Sequence, residues 1–285
     1  MHLTIQVRAT INSIIDSTTT GAKNNLKGNL MKSNISAAII WLMISTCAWA
    51  NNIESQVNAE INNYIRGLQS SSLTEITRTA DQISASGLSD KRLYNAVQST
   101  LMEKHNQQLK TPKDKALIPV VISLLRALAS SGSYNYQPAI NQVLNESESR
   151  ASRNRAKHVL TKISWYAKRN KIMQDMSHHE SSQSVISSRY LNMLNHADMN
   201  MNRYAAEELY RLGSAEDVVV QRMWSAMQSG TKLEKGKLHT DVMAWYCRAI
   251  VKLAKNDYQE RIEELVNGTS VHKKIRKHCR KELSR

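Results

Sequence analysis

From residue 52 onward, apolar side chains recur at intervals of three and four, and long polar/apolar alternation is absent. Ile53, Val57, Ile61, Tyr64, Ile65 and Leu68 follow a 3.6-residue period, which predicts a helix over 52–68. Ser72 and Glu75 form a capping box. It opens a second helix with Leu73, Ile76, Ala80 and Ile83 inward and Gly87 as its stop. Leu93, Val97 and Leu101 mark a third. Residues 104–115 are polar and contain Thr111-Pro112, so they read as a linker. The pattern resumes over 113–129, with Leu117, Val121, Leu125 and Leu128 inward; Pro119 must lie near the first turn or kink the helix. Gly132 ends it, and a short helix follows at 137–144.

Residues 151–173 read as one basic helix with Ala156, Leu160 and Ile163 inward, followed by a polar loop at 176–183. Further helices are expected near 184–195, 199–212, 216–228, 239–255, 258–266 and 271–284, with a Gly- and Lys-containing linker at 229–238. Only 9 Gly and 3 Pro occur in 285 residues. A sandwich or barrel needs many more turn residues, so composition joins periodicity in predicting an all-α chain.

Asn202 to Met223 reads NRYAAEELYRLGSAEDVVVQRM. With Ala205-Ala206, Leu209, Leu212-Gly213 and Ala215-Glu216-Asp217-Val218, this segment resembles the HEAT-repeat family, in particular the short units of phycobilisome-lyase-like proteins. At an offset of 41, Tyr204 falls on Trp245, Ala206 on Cys247, Leu209 on Ile250, Leu212 on Leu253 and Gly213 on Ala254. At an offset of 122, Tyr136, Ile140 and Val143 fall on Tyr258, Ile262 and Leu265. The resemblance covers about 113–285 and implies stacked antiparallel helical hairpins forming an α-solenoid, a HEAT-like superhelix with an extended surface for binding macromolecules. Such pairs stack because one hairpin alone cannot bury its apolar faces. The expected organisation is an N-terminal helical region over 51–110 and a HEAT-like repeat region over 111–285. The bilin-lyase activity of some relatives has no matching residues here and is not carried over.

Met31 to Ala50, MKSNISAAIIWLMISTCAWA, has the order of an export signal: Lys32, then an uncharged apolar stretch, then the small-x-small site Ala48-Trp49-Ala50. Translation is therefore expected to begin at Met31, with residues 1–30 an upstream over-extension. The mature chain would be periplasmic or secreted after cleavage following Ala50.

The formal net charge is +15, and two stretches carry most of it. Arg150, Arg153, Arg155, Lys157, Lys162, Lys168, Arg169 and Lys171 lie in a segment without an acid. Lys273, Lys274, Arg276, Lys277, Arg280, Lys281 and Arg285 are opposed only by Glu282. Concentrated basic charge is a footprint for an anionic partner or an ordinary solvated helix face. Arg150, Arg153, Arg155, Lys157, Lys273, Lys274, Arg276, Lys277, Arg280 and Lys281 are the candidate contacts. A protein partner leads, an anionic polymer or lipid surface is the alternative, and nucleic acid is disfavoured by export. Trp165 and Tyr166 read as core residues rather than base-stacking platforms.

Cys247 and Cys279 fall on successive first-type helices, where an oxidising compartment would permit a disulfide; two buried thiols are the alternative. His178, His179, Glu180 and His196 make a metal-dependent enzyme conceivable, without recognised ligand spacing. No nucleophile elbow, P-loop or dinucleotide fingerprint occurs. The expectation is a non-catalytic binding protein with no metal or cofactor. N-terminal sequencing of the exported protein should read Asn51-Asn52-Ile53; a mature chain retaining residues 1–30 would overturn the processing scheme.

Overall fold

The computed structural model describes residues 52–112, 114–180, 182–231, 236–268 and 271–285. The export signal expected at 31–50, its expected cleavage site and the expected over-extension at 1–30 lie outside the described residues. Among those described, all regular structure is helical. In chain order the helices are α1 (52–68), α2 (Leu73–Ser86), α3 (Lys91–Lys110), α4 (Leu117–Ala129), α5 (Gln137–Glu146) and α6 (Arg150–Leu160). They continue as α7 (Ile163–Met173), α8 (Val185–Asn195), α9 (Met199–Leu212), α10 (Asp217–Gly230), α11 (Gly236–Asn267) and α12 (Lys273–Leu283).

Short polar side chains start most of these helices by accepting from otherwise unpaired first-turn amides. Ser72 accepts from Glu75 N, Asp90 from Arg92 N, Ser149 from Ser152 N, Ser184 from Ser187 N and Asp198 from Asn200 N. The capping box at Ser72 is only half formed, because the Glu75 carboxylate turns to Arg78 instead. Pro119 occupies the third position of α4, where its missing N–H costs nothing.

Three sequence expectations change. Residues 104–110 are not linker: α3 runs through Lys110, with His105 and Gln108 on the buried face. Those two polar residues continue the apolar stripe and reach Glu146, the last residue of α5, and Ser147 just after it. The single helix expected over 151–173 divides at Thr161-Lys162. There the backbone tightens to three-residue hydrogen bonds, and the Thr161 hydroxyl donates to His158 O. Conversely, the break expected at residues 256–257 falls earlier, as a kink at Ala254 (φ −147°, ψ 46°) inside α11.

Packing follows a neighbour rule. Helix α4 packs against α2, α3 and α6; α6 against α5; α8 against α7, α9 and α10; α11 against α9, α10 and α12. The main helix–helix contacts thus fall between elements one or two apart in the chain, the pattern expected of hairpins laid side by side. Left-handed glycines mark corresponding exits: Gly87 (φ 74°), Gly132 (φ 70°) and Gly213 (φ 72°). The 41-residue register places Gly213 on Ala254, and the 122-residue register places Gly132 on the same kink. A Cβ on Gly132 would lie 2.6 Å from the Ala167 backbone, so this exit also lies close against α7.

Two apolar cores result. One gathers Ile61, Ile83, Leu93, Leu125, Ile140 and Val159; α3 and α4, expected on either side of a regional boundary, share it. The other gathers Met193, Leu209, Met223, Ile250, Ile262 and Ile275. Trp165 and Tyr204 pack against both, with ring centroids 4.5 Å apart.

A buried polar cluster joins the halves. Arg169, with no solvent exposure, donates to Ser84 O at 2.6 Å, Tyr204 Oη at 3.0 Å and Ser130 O at 3.4 Å. It also donates to Asn170 Oδ1, and its guanidinium lies over the Tyr166 ring at 4.6 Å. Asn170 Nδ2 donates to the carbonyls of Leu88, Ser130 and Ser131. Arg189, Tyr190 and Gln174 donate to the carbonyls of Ser86, Ala85 and Gly87. Five successive carbonyls, 84 to 88, are therefore capped by side chains from α7, α8 and the residue after α7. Burial pushes the Tyr94 hydroxyl up to about 12, so at neutral pH it keeps the proton it donates to Leu88 O.

Removing Arg169 strands the buried Ser84 carbonyl and the buried Asn170 Oδ1, each costing about 1–3 kcal/mol. Arg169→Leu should therefore lower unfolding free energy by about 3 kcal/mol or more in urea titration. Lys171→Ala, two residues on and exposed, should change it by less than about 0.5 kcal/mol. Equal effects would remove the cluster from its structural role.

Candidate functional site

The two basic segments belong to different cores. Helix α6 packs on α4 and α5, and α12 on α11. In the first segment Arg150 and Lys157 are exposed, and Arg153 and Arg155 are half-buried. Arg153 is committed internally, donating to Ser147 O at 2.6 Å and Glu148 O at 2.9 Å. Lys168 pairs with Asp198 at 3.0 Å. Arg169, counted with this run in the sequence, contributes nothing to the surface because it is the buried cap described above. Tyr166 is buried beneath it, and Trp165 is engaged by Tyr166 and Tyr204.

In the second segment, Lys274 pairs with Asp241 at 2.9 Å, and Arg280 reaches Val266 O and Asn267 Oδ1 at 3.3 Å. Lys273, Lys277 and Lys281 are exposed and Arg276 is half-buried; among the described residues none of the four side chains makes a hydrogen bond or ion pair. Ile275, Cys279 and Glu282 form the buried face of the helix.

Its alignment is set by three links: Asp241–Lys274, Cys247–Cys279 and Arg248–Glu282, separated in sequence by 33, 32 and 34 residues. A nearly constant separation means that α12 runs alongside the first part of α11 in the same direction. Asp241 also pairs with Arg203 of α9 at 2.6 Å. Arg203, Asp241 and Lys274 therefore form a charge ladder across α9, α11 and α12. Burial works against the ionised Asp241, but Lys274 and Arg203 outweigh it and hold the carboxyl below its ordinary range.

A second row runs beside the first. Arg248 lies over Trp245 at 4.1 Å and Tyr210 at 4.6 Å, while Tyr210 donates to Glu282 at 2.8 Å. Burial tends to raise the Glu282 pKa, but Tyr210, Arg285 and Arg248 together bring it below normal. Periodicity alone missed this ladder.

Cys247 and Cys279 are joined in a disulfide, with Cα atoms 5.6 Å apart and both side chains fully buried. The histidines do not assemble. His179 Nδ1 lies 2.7 Å from Ser188 Oγ, His196 Nδ1 accepts from Asp198 N, and His272 Nδ1 accepts from Lys274 N. Glu180 accepts from Gln183, and His178 is exposed. Among the described residues, no group of three or more His, Cys, Asp or Glu side chains is placed to hold a metal ion. Burial, with Arg248 and Lys274 nearby, depresses the His278 pKa.

One further concavity, of about 350 Å³, opens between α1, α2, α8 and α9. Tyr64, Ala85, Tyr190 and Leu212 line it, and Ile186 stands at its mouth with 48% exposure. No family profile matches the chain, and no curated protein matches it significantly.

The disulfide closes a loop of 32 residues, for which chain entropy gives roughly 3–4 kcal/mol. Cys247→Ala/Cys279→Ala should lose about that much unfolding free energy. Thiol titration of denatured, unreduced protein lacking residues 1–50 should find no free thiol; two would rule the bridge out.

Proposed function

We propose that this chain is an exported, HEAT-like helical-repeat scaffold that binds a protein partner in the cell envelope and performs no chemistry of its own. The observation that carries this reading is the side-by-side course of α9, α11 and α12, linked by Arg203, Asp241 and Lys274. Aligned first-type helices build a continuous face several helices wide. That is how repeat proteins engage macromolecules whose footprint exceeds one hairpin. The tryptophan, tyrosine and arginine side chains along the row are also those that dominate protein interfaces.

Export is supported by the tripartite segment at 31–50 and is compatible with the buried disulfide, because such bonds persist in oxidising compartments. The basic positions of α6 and α12 are the proposed contacts. They would steer an acidic partner into place more than they would set the final affinity.

Affinity capture from envelope extracts with the mature chain should recover a saturable partner at both 50 and 300 mM salt. Association should slow at the higher salt as the charges are screened. Failure to recover any partner across that range would count against the scaffold reading.

A further inference from the structure

We infer that α12 is a cationic docking surface for an acidic polypeptide segment, presented rigidly through the Cys247–Cys279 bond. This deepens the scaffold reading and rests on it. The helix has 11 residues, six of them Lys or Arg. Lys273, Lys277 and Lys281 recur every fourth residue, so they form a row on one face with about 6 Å between successive positions. Like charges at this spacing destabilise a helix, and isolated helices this short are marginal in water. Among the described residues no acid offsets the row: Glu282, the helix's own carboxylate, is buried toward Tyr210, Arg248 and Arg285, and Asp241 is shared by Lys274 and Arg203.

The helix keeps its place through its opposite face. Ile275, Cys279 and Glu282 are buried there, Leu283 packs against the same core, and the disulfide fixes the register. The outward charges therefore have a defined spacing and direction. An acidic chain laid along the row would relieve the repulsion that the fold leaves standing.

Two comparisons narrow the assignment. In α6, Arg150 and Lys157 share a side, but Arg155 is turned about 140° from Arg150 at 100° per residue, and Arg153 is already engaged. No comparable row forms there. Helices that enter a bilayer surface insert apolar side chains. The large exposed apolar residues among those described are Tyr134, Ile186 and Leu238, none of them on α12. Charge complementarity without an apolar anchor fits an acidic protein segment better than a lipid surface.

The test uses the whole mature chain, with poly-L-glutamate and anionic phosphatidylglycerol vesicles as probes. Lys273→Glu/Lys277→Glu/Lys281→Glu should weaken poly-L-glutamate binding by about tenfold or more, because attraction becomes repulsion. A charge-matched Lys91→Glu/Lys110→Glu/Lys115→Glu variant, at exposed lysines outside the proposed contacts, should change it less than about threefold, the effect of distant, screened charge. The milder Lys273→Gln/Lys277→Gln/Lys281→Gln variant should fall between them and serves if the reversal perturbs folding by circular dichroism. Equal losses for the two reversals would reduce the effect to net charge and overturn the inference. Tighter binding to the vesicles than to poly-L-glutamate would overturn it in favour of lipid. A partner captured from envelope extracts whose binding is unchanged by the α12 variants would also overturn it, while leaving the scaffold reading intact. An α12-dependent response to poly-L-glutamate with no partner captured would sustain the surface and remove the scaffold reading.

Discussion

The structure depends on satisfying the carbonyl ends of two helices that finish in the same place. The C-terminal ends of α2 and α4 present the carbonyls of residues 84–88 and of Ser130 and Ser131, with the negative ends of the helix dipoles, to the protein interior. Water has little access there. Helix α7 resolves this with adjacent residues of complementary shape: Arg169 brings a charged planar donor and Asn170 brings an amide. Arg189, Tyr190 and Gln174 complete the set. The guanidinium is stabilised by carbonyl oxygens and aromatic faces, without a directly bonded carboxylate. Because the donors come from α7 and α8 and the acceptors from α2 and α4, the two apolar cores cannot separate without exposing this cluster.

The second half is organised differently. Its successive helices are aligned by partly exposed ion pairs and stacked guanidinium–aromatic contacts. Singly such exposed pairs contribute little. Strung as Arg203–Asp241–Lys274 and Tyr210–Arg248–Glu282, they set direction and register more than they add stability. Apolar burial in the core supplies most of the energy, and the disulfide removes the remaining freedom of the final helix.

Much of the helical architecture was legible in the sequence because periodicity reports burial directly. The stripes at 52–68, 73–86 and 199–212 returned as helices within a residue or two. The pattern was misleading where polar residues occupy buried positions. His105 and Gln108 looked like linker, and Arg169 looked like surface charge, because each is buried through partners distant in sequence. The kink at Ala254 was displaced from expectation because alanine carries no breaking signal; only its register with Gly132 and Gly213 marks it. Of the candidate surface, residue types were visible but commitment was not. Lys274 and Lys277 are three residues apart and chemically alike, yet one is tied to Asp241 and the other faces solvent.

The cystine has a mechanical consequence as well. It connects two helices that run in parallel, so tension applied at Arg285 would pass from α12 through sulfur directly into α11. The intervening return segment, with its kink, would carry none of that load. A chain pulled from α12 would thus yield at contacts deeper in the fold, while the pair formed by α12 and the first part of α11 stayed shut.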